Sequence, residues 1–376
     1  MSHSPEIALC VVTYQRPRNL ALVLESIAAQ RGADGKMEVV VTDDGSTDNT
    51  PQVVEEFRRR VSFPVQFITH PHITFQLSRC RNEGAAATHS PYLLFLDGDC
   101  ILPPHHVATH LAKRRPGVAI SGDAARMDRT TSDRITVETI RRGDFSGFLS
   151  LQERLRLWTL DAKIRLYTLM HHPSKPRRLQ GGDFSIWRQD YERVNGFDEN
   201  FCGWGGEDYD LGRRLRRAGV RLASVLRWTR SYHVWHPRDI TKPDVPRQTQ
   251  NANHLRRKGK LIRCRNGLVK RTLGDLAVRV VGHAQRQREV ELMIADRILP
   301  QQAGTPPEVE LLFLPGKGQF SGTADCNVLV ALENSAEVGR LARDAHMIIA
   351  NQAVDAPQDI LQFPLDQWDR ALEAVA

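Results

Sequence analysis

The sequence has few cysteines, and none of them form a pattern that would let them act together. Six cysteines are spread over 376 residues without a single Cys-X-X-Cys pair. Such pairs are typical of cysteine zinc sites and redox-active dithiols, so neither class of site is expected at these cysteines. We expect reduced thiols, as in a cytoplasmic protein.

Long apolar runs are also missing. No segment approaches the roughly 20 consecutive apolar residues of a membrane-spanning helix. Residues Met1 to Glu6 show no basic stretch leading into an apolar core, as a secretion signal would. The sequence therefore predicts a cytoplasmic protein, with peripheral contact at a membrane left open. A chain that is 41 % hydrophobic and 26 % charged has room for one large core and a second, small domain.

The net charge of +8 is distributed unevenly. Residues 251–290 hold eleven Lys and Arg against two Asp and Glu, whereas residues 291–376 hold five against thirteen. We predict a catalytic domain over 1–246, a basic helical neck over 247–300 and a small C-terminal α/β domain over 301–376. The neck could contact anionic lipid or pack on the body and pair with the acidic tail. Nucleic acid is not expected, because few aromatic residues lie among the arginines.

The first hundred residues alternate apolar runs with helical patterns, which predicts an α/β fold with a mostly parallel sheet. The predicted strands are Ile7–Thr13, Met37–Asp43, Val65–Thr69 and Tyr92–Asp97. The predicted crossover helices are Asn19–Gln30, Thr50–Arg60 and Leu77–Thr88. Shorter strands, each of the last two followed by a helix, are predicted near the C-terminus at Val309–Leu314, Asn327–Leu332 and Met347–Ala350.

Polar residues stand where the first, second and fourth strands end. They are Thr13-Tyr14, Asp43-Asp44 and Asp97-Gly98-Asp99. Ligands of parallel sheets bind beyond the carboxyl ends of the strands, so these clusters are expected to share one crevice. Two carboxylates after a buried strand suit Mg²⁺ or Mn²⁺ bridging a diphosphate. Asp43-Asp44 could accept hydrogen bonds from a base or ribose, or the segment could only form a turn that caps the next helix.

Four motifs in this order resemble the family 2 glycosyltransferases of the GT-A fold. They are Val12-Thr13-Tyr14 with Arg16-Pro17, then Val41 to Ser46, then Arg81-Asn82-Glu83-Gly84, then Asp97-Gly98-Asp99. A second block resembles the acceptor side of β-1,4-galactosyltransferases and chondroitin polymerases. It comprises Gly181 to Phe184, Asn195 to Glu199 and Trp204-Gly205-Gly206-Glu207-Asp208. The resemblance covers about residues 7–240 of this sequence.

The resemblance implies a nucleotide-sugar donor site and a metal site. Thr13 and Asp43 would contact the base, Asp44 and Arg81 would lie near the nucleotide, and Asp97 would face ribose or donor sugar. The remaining residues assigned to the donor site are Tyr14, Arg16, Gly182 and Asp183. Asp99 would bind Mn²⁺ or Mg²⁺. His236 matches a metal-binding histidine of the galactosyltransferases, and His233 stands in place of their methionine.

The acceptor side is expected around the helix predicted over Tyr209–Ala218. Inverting displacement requires a base that takes the proton of the acceptor hydroxyl, and we assign that role to Asp208. Glu207, Gly206 and Trp204 would orient the acceptor sugar, Trp204 by stacking on its apolar face. Core packing is the alternative for Trp204.

We therefore expect an inverting glycosyltransferase that moves a sugar from a uridine diphosphate sugar to a hydroxyl of a carbohydrate or glycolipid. Three departures from the family pattern, Asp183, Asn195 and Tyr209, leave the donor and acceptor sugars open. The alternatives are a metal-dependent nucleotidyltransferase, in which two carboxylates hold two metal ions, and a non-catalytic protein that binds sugars or a membrane surface.

Overall fold

The structure is a computed structural model of the chain, which divides into two compact units, Met1–Ala252 and Asn253–Ala376. It describes residues 4–169, 179–237, 251, 261–272, 275–282, 299–300, 307–314, 318–333, 336–356, 360–367 and 370–371. The boundary lies close to the predicted end of the catalytic domain at residue 246.

The first unit is built on a seven-stranded sheet. Its strands are β1 (Ile7–Thr13), β2 (Met37–Asp43), β3 (Val65–Thr69), β4 (Tyr92–Asp97), β6 (Val118–Ser121), β8 (Asp183–Trp187) and β9 (Arg221–Ser224), in the order β3-β2-β1-β4-β8-β6-β9. All neighbours pair in parallel except β8, which is antiparallel to β4 and to β6. A small sheet joins β5 (Cys100–Ile101), β7 (Ala125–Arg126) and β10 (Tyr232–His233). The four predicted strands of the first hundred residues are confirmed with their predicted bounds.

Helices cover the sheet between these strands. They are α1 (Pro17–Ala28), α2 (Thr50–Arg60), α3 (Leu77–Ala86), α4 (His106–Lys113), α5 (Arg129–Asp133), α6 (Val137–Arg142), α7 (Leu151–Leu169), α8 (Arg188–Arg193) and α9 (Glu207–Arg217), with a 3₁₀ helix at Asp144–Phe148. The stripe Leu20, Leu24 and Ile27 on α1 is buried against the sheet. Its start at Pro17 is favourable, because the fixed φ of proline suits a first helical turn.

The second unit is a six-stranded, wholly parallel sheet. Its strands are β11 (Ala277–Val281), β12 (Leu299–Pro300), β13 (Val309–Leu314), β14 (Cys326–Ala331), β15 (Met347–Ala350) and β16 (Leu361–Phe363), in the order β12-β11-β13-β14-β15-β16. Helix α10 (Ala336–Leu341) and a 3₁₀ helix at Ala342–Asp344 follow β14. Met347–Ala350 is followed by β16 before any described helical residue, which differs from the helix predicted directly after it.

The predicted helical neck is wrong for Ala277–Val281. These residues form β11, which pairs with β12 and β13. Val278, Val280 and Val281 are β-branched, and such side chains fit a pleated sheet better than a helix. Most of the remaining neck, including residues 252–260 and 283–298, lies outside the described residues.

Two further sequence expectations can be compared with the described residues. All six cysteines are free, and five of them are buried. Among the described helices, none combines the length and the apolar composition that crossing a bilayer requires.

Candidate active site

The carboxyl ends of β1, β2 and β4 border an open cleft. Parallel pairing in register places Thr13 beside Asp43 and Val12 beside Asp97, so the three strand ends meet at one edge. The cleft is lined by Val12, Thr13, Tyr14, Arg16, Asp44, Phe75, Leu77, Asp97, Gly98 and Asp99. Six of the predicted donor and metal residues therefore come together: Thr13, Tyr14, Arg16, Asp44, Asp97 and Asp99.

Asp99 lies in a cluster with His233 and His236. Pairing of β10 with β5 sets His233 opposite Cys100, and the amide of Val234 donates to the carbonyl of Asp99 at 2.8 Å. His236 Nε2 is 3.2 Å from Asp99 Oδ2, and His233 Nε2 is 3.6 Å from Oδ1. One ligand atom from each of the three residues lies within 4.8 Å of the others. Asp99 and His236 are 137 positions apart in the sequence, and the small sheet brings them together.

The charges around Asp99 favour its ionised form. Burial alone would raise the pKa of Asp99, but the hydrogen bond with His236 and the positive charges of His233 and Arg16 lower it to about 2. The same hydrogen bond raises the pKa of His236. One carboxylate and two imidazoles form a mixed donor set, which suits a transition ion such as Mn²⁺ better than Mg²⁺. Arg16 donates to Asp99 Oδ2 at 3.0 Å, so a cation there competes with this guanidinium.

Arg81 connects the Asp97 motif to the Glu207 motif. Its Nη2 donates to Asp97 Oδ1 at 3.0 Å and its Nη1 to Glu207 Oε1 at 3.3 Å, while the Arg81 side chain is only 1 % exposed. Burial raises the pKa of Asp97 and raises that of Glu207 to about 7, against the opposing charge of Arg81. Arg81 is buried and does not line the cleft, and its assignment near the nucleotide stays a prediction. The structure makes it a positioning residue for two carboxylates.

Asp208 lies beside this network, in the first turn of α9. The helix begins after Gly205 and Gly206, whose φ angles of 88° and 102° are unfavourable for residues with a side chain. A Cβ on Gly181 would be 3.2 Å from Asp208 Cβ and 3.0 Å from the Arg81 guanidinium. The carboxylate therefore stands near Arg81, which in turn contacts Asp97. The positive end of the helix dipole favours a negative charge here.

Asp43 and Asp44 differ in their surroundings. Asp43 accepts from the Ser46 amide and hydroxyl and from the Thr69 hydroxyl, which is the turn alternative considered for this segment. Asp43 does not line the cleft. Asp44 does, and it contacts His70 Nε2 at 2.9 Å and His72 Nδ1 at 3.1 Å. The Thr13 hydroxyl is buried without a hydrogen-bond partner in the described structure, which leaves it available to a ligand.

Three cleft features were not predicted. His72 stacks on Tyr14 with ring centroids 4.2 Å apart, and Phe75 and Leu77 line the cleft. His70 bridges Asp44 and Glu83, at 2.9 and 2.8 Å. All of them follow β3, the third parallel strand, so the rule that ligands lie at the carboxyl ends of strands pointed to this segment as well.

Gly182 and Asp183 face opposite sides of the sheet. A Cβ on Gly182 would be 2.6 Å from Asp97 Oδ2, which places this glycine at the cleft as predicted. The Asp183 carboxylate instead accepts from the Ser231 amide at 3.2 Å and contacts His106 Nε2 at 3.2 Å, fully buried. The burial of Asp183 and its absence from the cleft lining do not support its assignment to the donor site, which stays a prediction.

Trp204 is 37 % exposed, which does not fit the alternative of core packing. It precedes the two glycines that lead into α9, so its indole stands at the entrance to the helix that carries Glu207 and Asp208. An exposed indole next to polar groups suits contact with a sugar ring.

Comparison with known proteins assigns this arrangement to a family. Residues 8–172 match the family described as Glycosyl transferase family 2, and residues 165–237 match the N-terminal domain of galactosyltransferase. The chain is 32 % identical over 234 residues to validoxylamine A glucosyltransferase of Streptomyces hygroscopicus subsp. limoneus, covering 59 % of this chain and 50 % of the relative. It is 26 % identical to chondroitin synthase of Escherichia coli, covering 58 % and 33 %. A shorter match, 38 % over 60 residues, links it to human beta-1,4-galactosyltransferase 4, covering 16 % and 17 %.

Residues 8–172 thus match the family 2 glycosyltransferases that the motifs resemble, and the mostly parallel α/β sheet of the first unit agrees with the predicted GT-A fold. The chain spans about half the length of the Streptomyces relatives and a third of the chondroitin synthase.

Proposed function

We propose that this chain is a metal-dependent, inverting glycosyltransferase. It transfers a sugar from a nucleotide diphosphate sugar, for which we propose a uridine diphosphate sugar, to a hydroxyl of a carbohydrate or glycolipid. The observation that carries the proposal is the meeting of Asp97 and Glu207 on one buried arginine, at the sheet edge that also holds the Asp99 cluster.

The donor nucleotide would lie in the cleft at the ends of β1, β2 and β4. The unpartnered Thr13 hydroxyl is available to the base or ribose, and the stacked rings of Tyr14 and His72 provide an apolar wall. Asp97, held by Arg81, faces the ribose or the donor sugar. Gly182 keeps the space next to Asp97 open, since any side chain there would collide with its carboxylate.

Asp99, His233 and His236 would hold the divalent ion. When bound, the ion neutralises the negative charge that develops on the departing diphosphate. Asp99 is already ionised at neutral pH, because its pKa is lowered to about 2. Arg16 adds a second positive charge at the same carboxylate, on the side of the cleft.

Asp208 would take the proton of the acceptor hydroxyl. Its carboxylate stands in the first turn of α9, where the helix dipole stabilises the ionised form that a base requires. Glu207 is held by Arg81 and so fixes the start of α9, while Trp204 offers an exposed ring to the acceptor sugar. Direct displacement with one base, and no enzyme nucleophile, gives inversion at the anomeric carbon.

A donor screen with Mn²⁺ tests the proposal. Nucleoside diphosphate release is measured from a panel of nucleotide sugars, with and without carbohydrate and lipid-linked acceptors, and the product anomer is determined by NMR. We expect diphosphate release with a uridine diphosphate sugar and an inverted product. Release of pyrophosphate would instead support nucleotidyl transfer. Binding of sugars without turnover of any donor would support a non-catalytic protein.

The donor screen does not address the second unit. We propose that the basic residues of the segment 251–290 contact anionic lipid, which would bring the enzyme to a glycolipid acceptor. Binding to vesicles of mixed anionic and zwitterionic lipid, with a loss on raising the salt concentration, tests this proposal.

A further inference from the structure

A second group of metal-binding residues lies away from the cleft, inside the first unit. His106 and His110 stand one turn apart on α4, and Asp183 opens β8. Both imidazoles are fully buried, and Asp183 is 1 % exposed. One ligand atom from each residue lies within 4.8 Å of the others. None of the three residues lines the cleft.

Hydrogen bonds at Nδ1 of both histidines leave Nε2 as the nitrogen that can bind a metal ion. His106 Nδ1 is 2.9 Å from the Thr229 hydroxyl, and His110 Nδ1 is 2.7 Å from the Ser185 hydroxyl. Each imidazole thus has a hydroxyl partner at Nδ1 and directs Nε2 towards Asp183. Metal-binding histidines typically have this arrangement, in which the second ring nitrogen donates to an outer partner.

Hydrogen bonding within the protein does not satisfy His110. Its Nε2 is buried without a partner in the described structure, and it is 3.8 Å from Asp183 Oδ1, beyond hydrogen-bond distance. If Nε2 carries the proton, a buried donor is left unpaired. If Nδ1 carries it, a lone pair of Nε2 faces a carboxylate oxygen. Either tautomer is unfavourable, since a buried polar atom without a hydrogen-bond partner has lost its hydration without compensation.

A cation between the three residues would resolve this conflict. His106 Nε2 and His110 Nε2 are 3.2 and 3.8 Å from Asp183 Oδ1. Ligand atoms at about 2.0–2.1 Å from a tetrahedral Zn²⁺ are about 3.3 Å apart. The observed separations therefore fit such an ion after small shifts. The Ser231 amide donates to the same carboxylate at 3.2 Å, and the Ser231 side chain also interacts with it, so a further oxygen lies close by.

We propose that His106, His110 and Asp183 bind a structural Zn²⁺ ion that is separate from the cation of the cleft. The ion would join α4 to β8 within the core. Because the three ligands are buried and do not line the cleft, the ion would stabilise the fold and would not bind substrate.

The test uses a chain in which the cleft cluster is disabled by His233→Ala and His236→Ala. This double variant is produced in zinc-containing medium, gel-filtered in metal-free buffer and measured by inductively coupled plasma mass spectrometry. We expect one equivalent of zinc per chain, and a melting temperature that falls when a chelator extracts the ion under mild heating. Cobalt substitution should give the intense visible absorption of four-coordinate Co²⁺.

Adding His110→Gln to this double variant should remove the zinc equivalent, whereas adding His89→Gln, at an exposed histidine, should leave it. If His110→Gln does not fold, Asp183→Asn replaces it, since an amide keeps the volume and removes the anionic ligand. The proposal is overturned if the folded double variant contains no zinc and shows no thermal shift with added zinc. Retention of the full equivalent by His110→Gln or Asp183→Asn overturns it equally.

Discussion

Arg81 Nη1 lies 3.3 Å from Glu207 Oε1, although 126 residues separate them in the chain. The same guanidinium donates to Asp97 through its other terminal nitrogen. One buried cation thereby sets the distance between the end of β4 and the start of α9. In the proposed function these two elements carry the donor-side and acceptor-side carboxylates, so their spacing would decide whether donor and acceptor can meet.

Replacing Arg81 with Met should lower the free energy of unfolding by about 3–5 kcal/mol, because two partly buried carboxylates lose their counter-ion. Urea denaturation followed by circular dichroism measures the change. Arg79→Met is the matched control, since Arg79 pairs with Glu83 at the surface and should cost about 0–1 kcal/mol. A loss of less than about 1 kcal/mol for Arg81→Met would contradict a stabilising role for the bridge.

The stability contribution of Glu207 should depend on pH. Burial raises the pKa of Glu207 from 4.5 in the unfolded chain to about 7. The folded state therefore holds a proton that the unfolded state has lost, and the resulting stabilisation is fully present below pH 4.5 and disappears as the pH rises through about 7. Glu207→Gln lacks this titration.

Between about pH 5 and pH 8, the unfolding free energy of the wild type should fall relative to that of Glu207→Gln by on the order of 2 kcal/mol. Urea titrations at several pH values provide the measurement. Glu55→Gln, on the surface of α2, serves as the matched control for the substitution. A wild-type advantage that stays constant or grows with pH would contradict the raised pKa.

Asp208→Asn should reduce kcat by about 10²–10⁴-fold, the usual contribution of a general base. The fold should be preserved, because an Asn Oδ1 can still accept from the Tyr209 amide as Asp208 does at 2.7 Å. Turnover is measured under saturating donor, acceptor and Mn²⁺. Asp48→Asn alters a carboxylate that only caps the turn before α2 and should leave turnover near wild type. Near wild-type turnover in Asp208→Asn would remove Asp208 from the base role.

Removal of the divalent ion with a chelator should abolish transfer, and Mn²⁺ should restore it.

His236→Ala should weaken Mn²⁺ binding by more than about tenfold, and Asp99→Ala should abolish both Mn²⁺ binding and transfer. Mn²⁺ binding is measured by electron paramagnetic resonance in the absence of donor. His89→Ala, at an exposed histidine, is the control. Unchanged Mn²⁺ affinity in His236→Ala would place the ion elsewhere.

Trp204→Ala should raise the KM for acceptor and leave the KM for donor unchanged. Loss of one stacking contact of about 0.5–1.5 kcal/mol corresponds to a change of about two- to tenfold. Trp228→Ala is the control, because this exposed indole packs on Lys113 and does not line the cleft. Equal effects of both substitutions on the acceptor KM would contradict a specific contact at Trp204.

The sequence was sufficient to predict the parallel strands, since runs such as Ile7–Thr13 are apolar throughout and end in polar residues. It also led to Asp99, His233 and His236, through motif resemblance and not through geometry. The burial of Arg81 and Asp183 away from the cleft lining was not predicted, for two different reasons. Spacing along the chain does not reveal that an arginine is buried between two carboxylates. The motif Gly181-Gly182-Asp183 does not show that Gly182 lies next to Asp97 while the Asp183 side chain contacts His106 and Ser231.

The helical prediction fails at Ala277–Val281, a short apolar stretch within an arginine-rich segment. The valines of Ala277–Val281 pair with a strand more than twenty residues away, from Val309 onward, and a local pattern does not report such a partner. Tertiary pairing decides the conformation of short apolar segments of this kind.

The alternation of Gly182 and Asp183 has a mechanical consequence. Their shared backbone lies between the reaction cleft on one side and a closed polar core on the other, with the Gly182 carbonyl accepting from the Asp97 amide. A disturbance of the core at Asp183 would therefore shift the floor of the cleft by way of a single peptide unit. A change in packing around the buried Asp183 would then lower enzyme activity without touching a substrate contact.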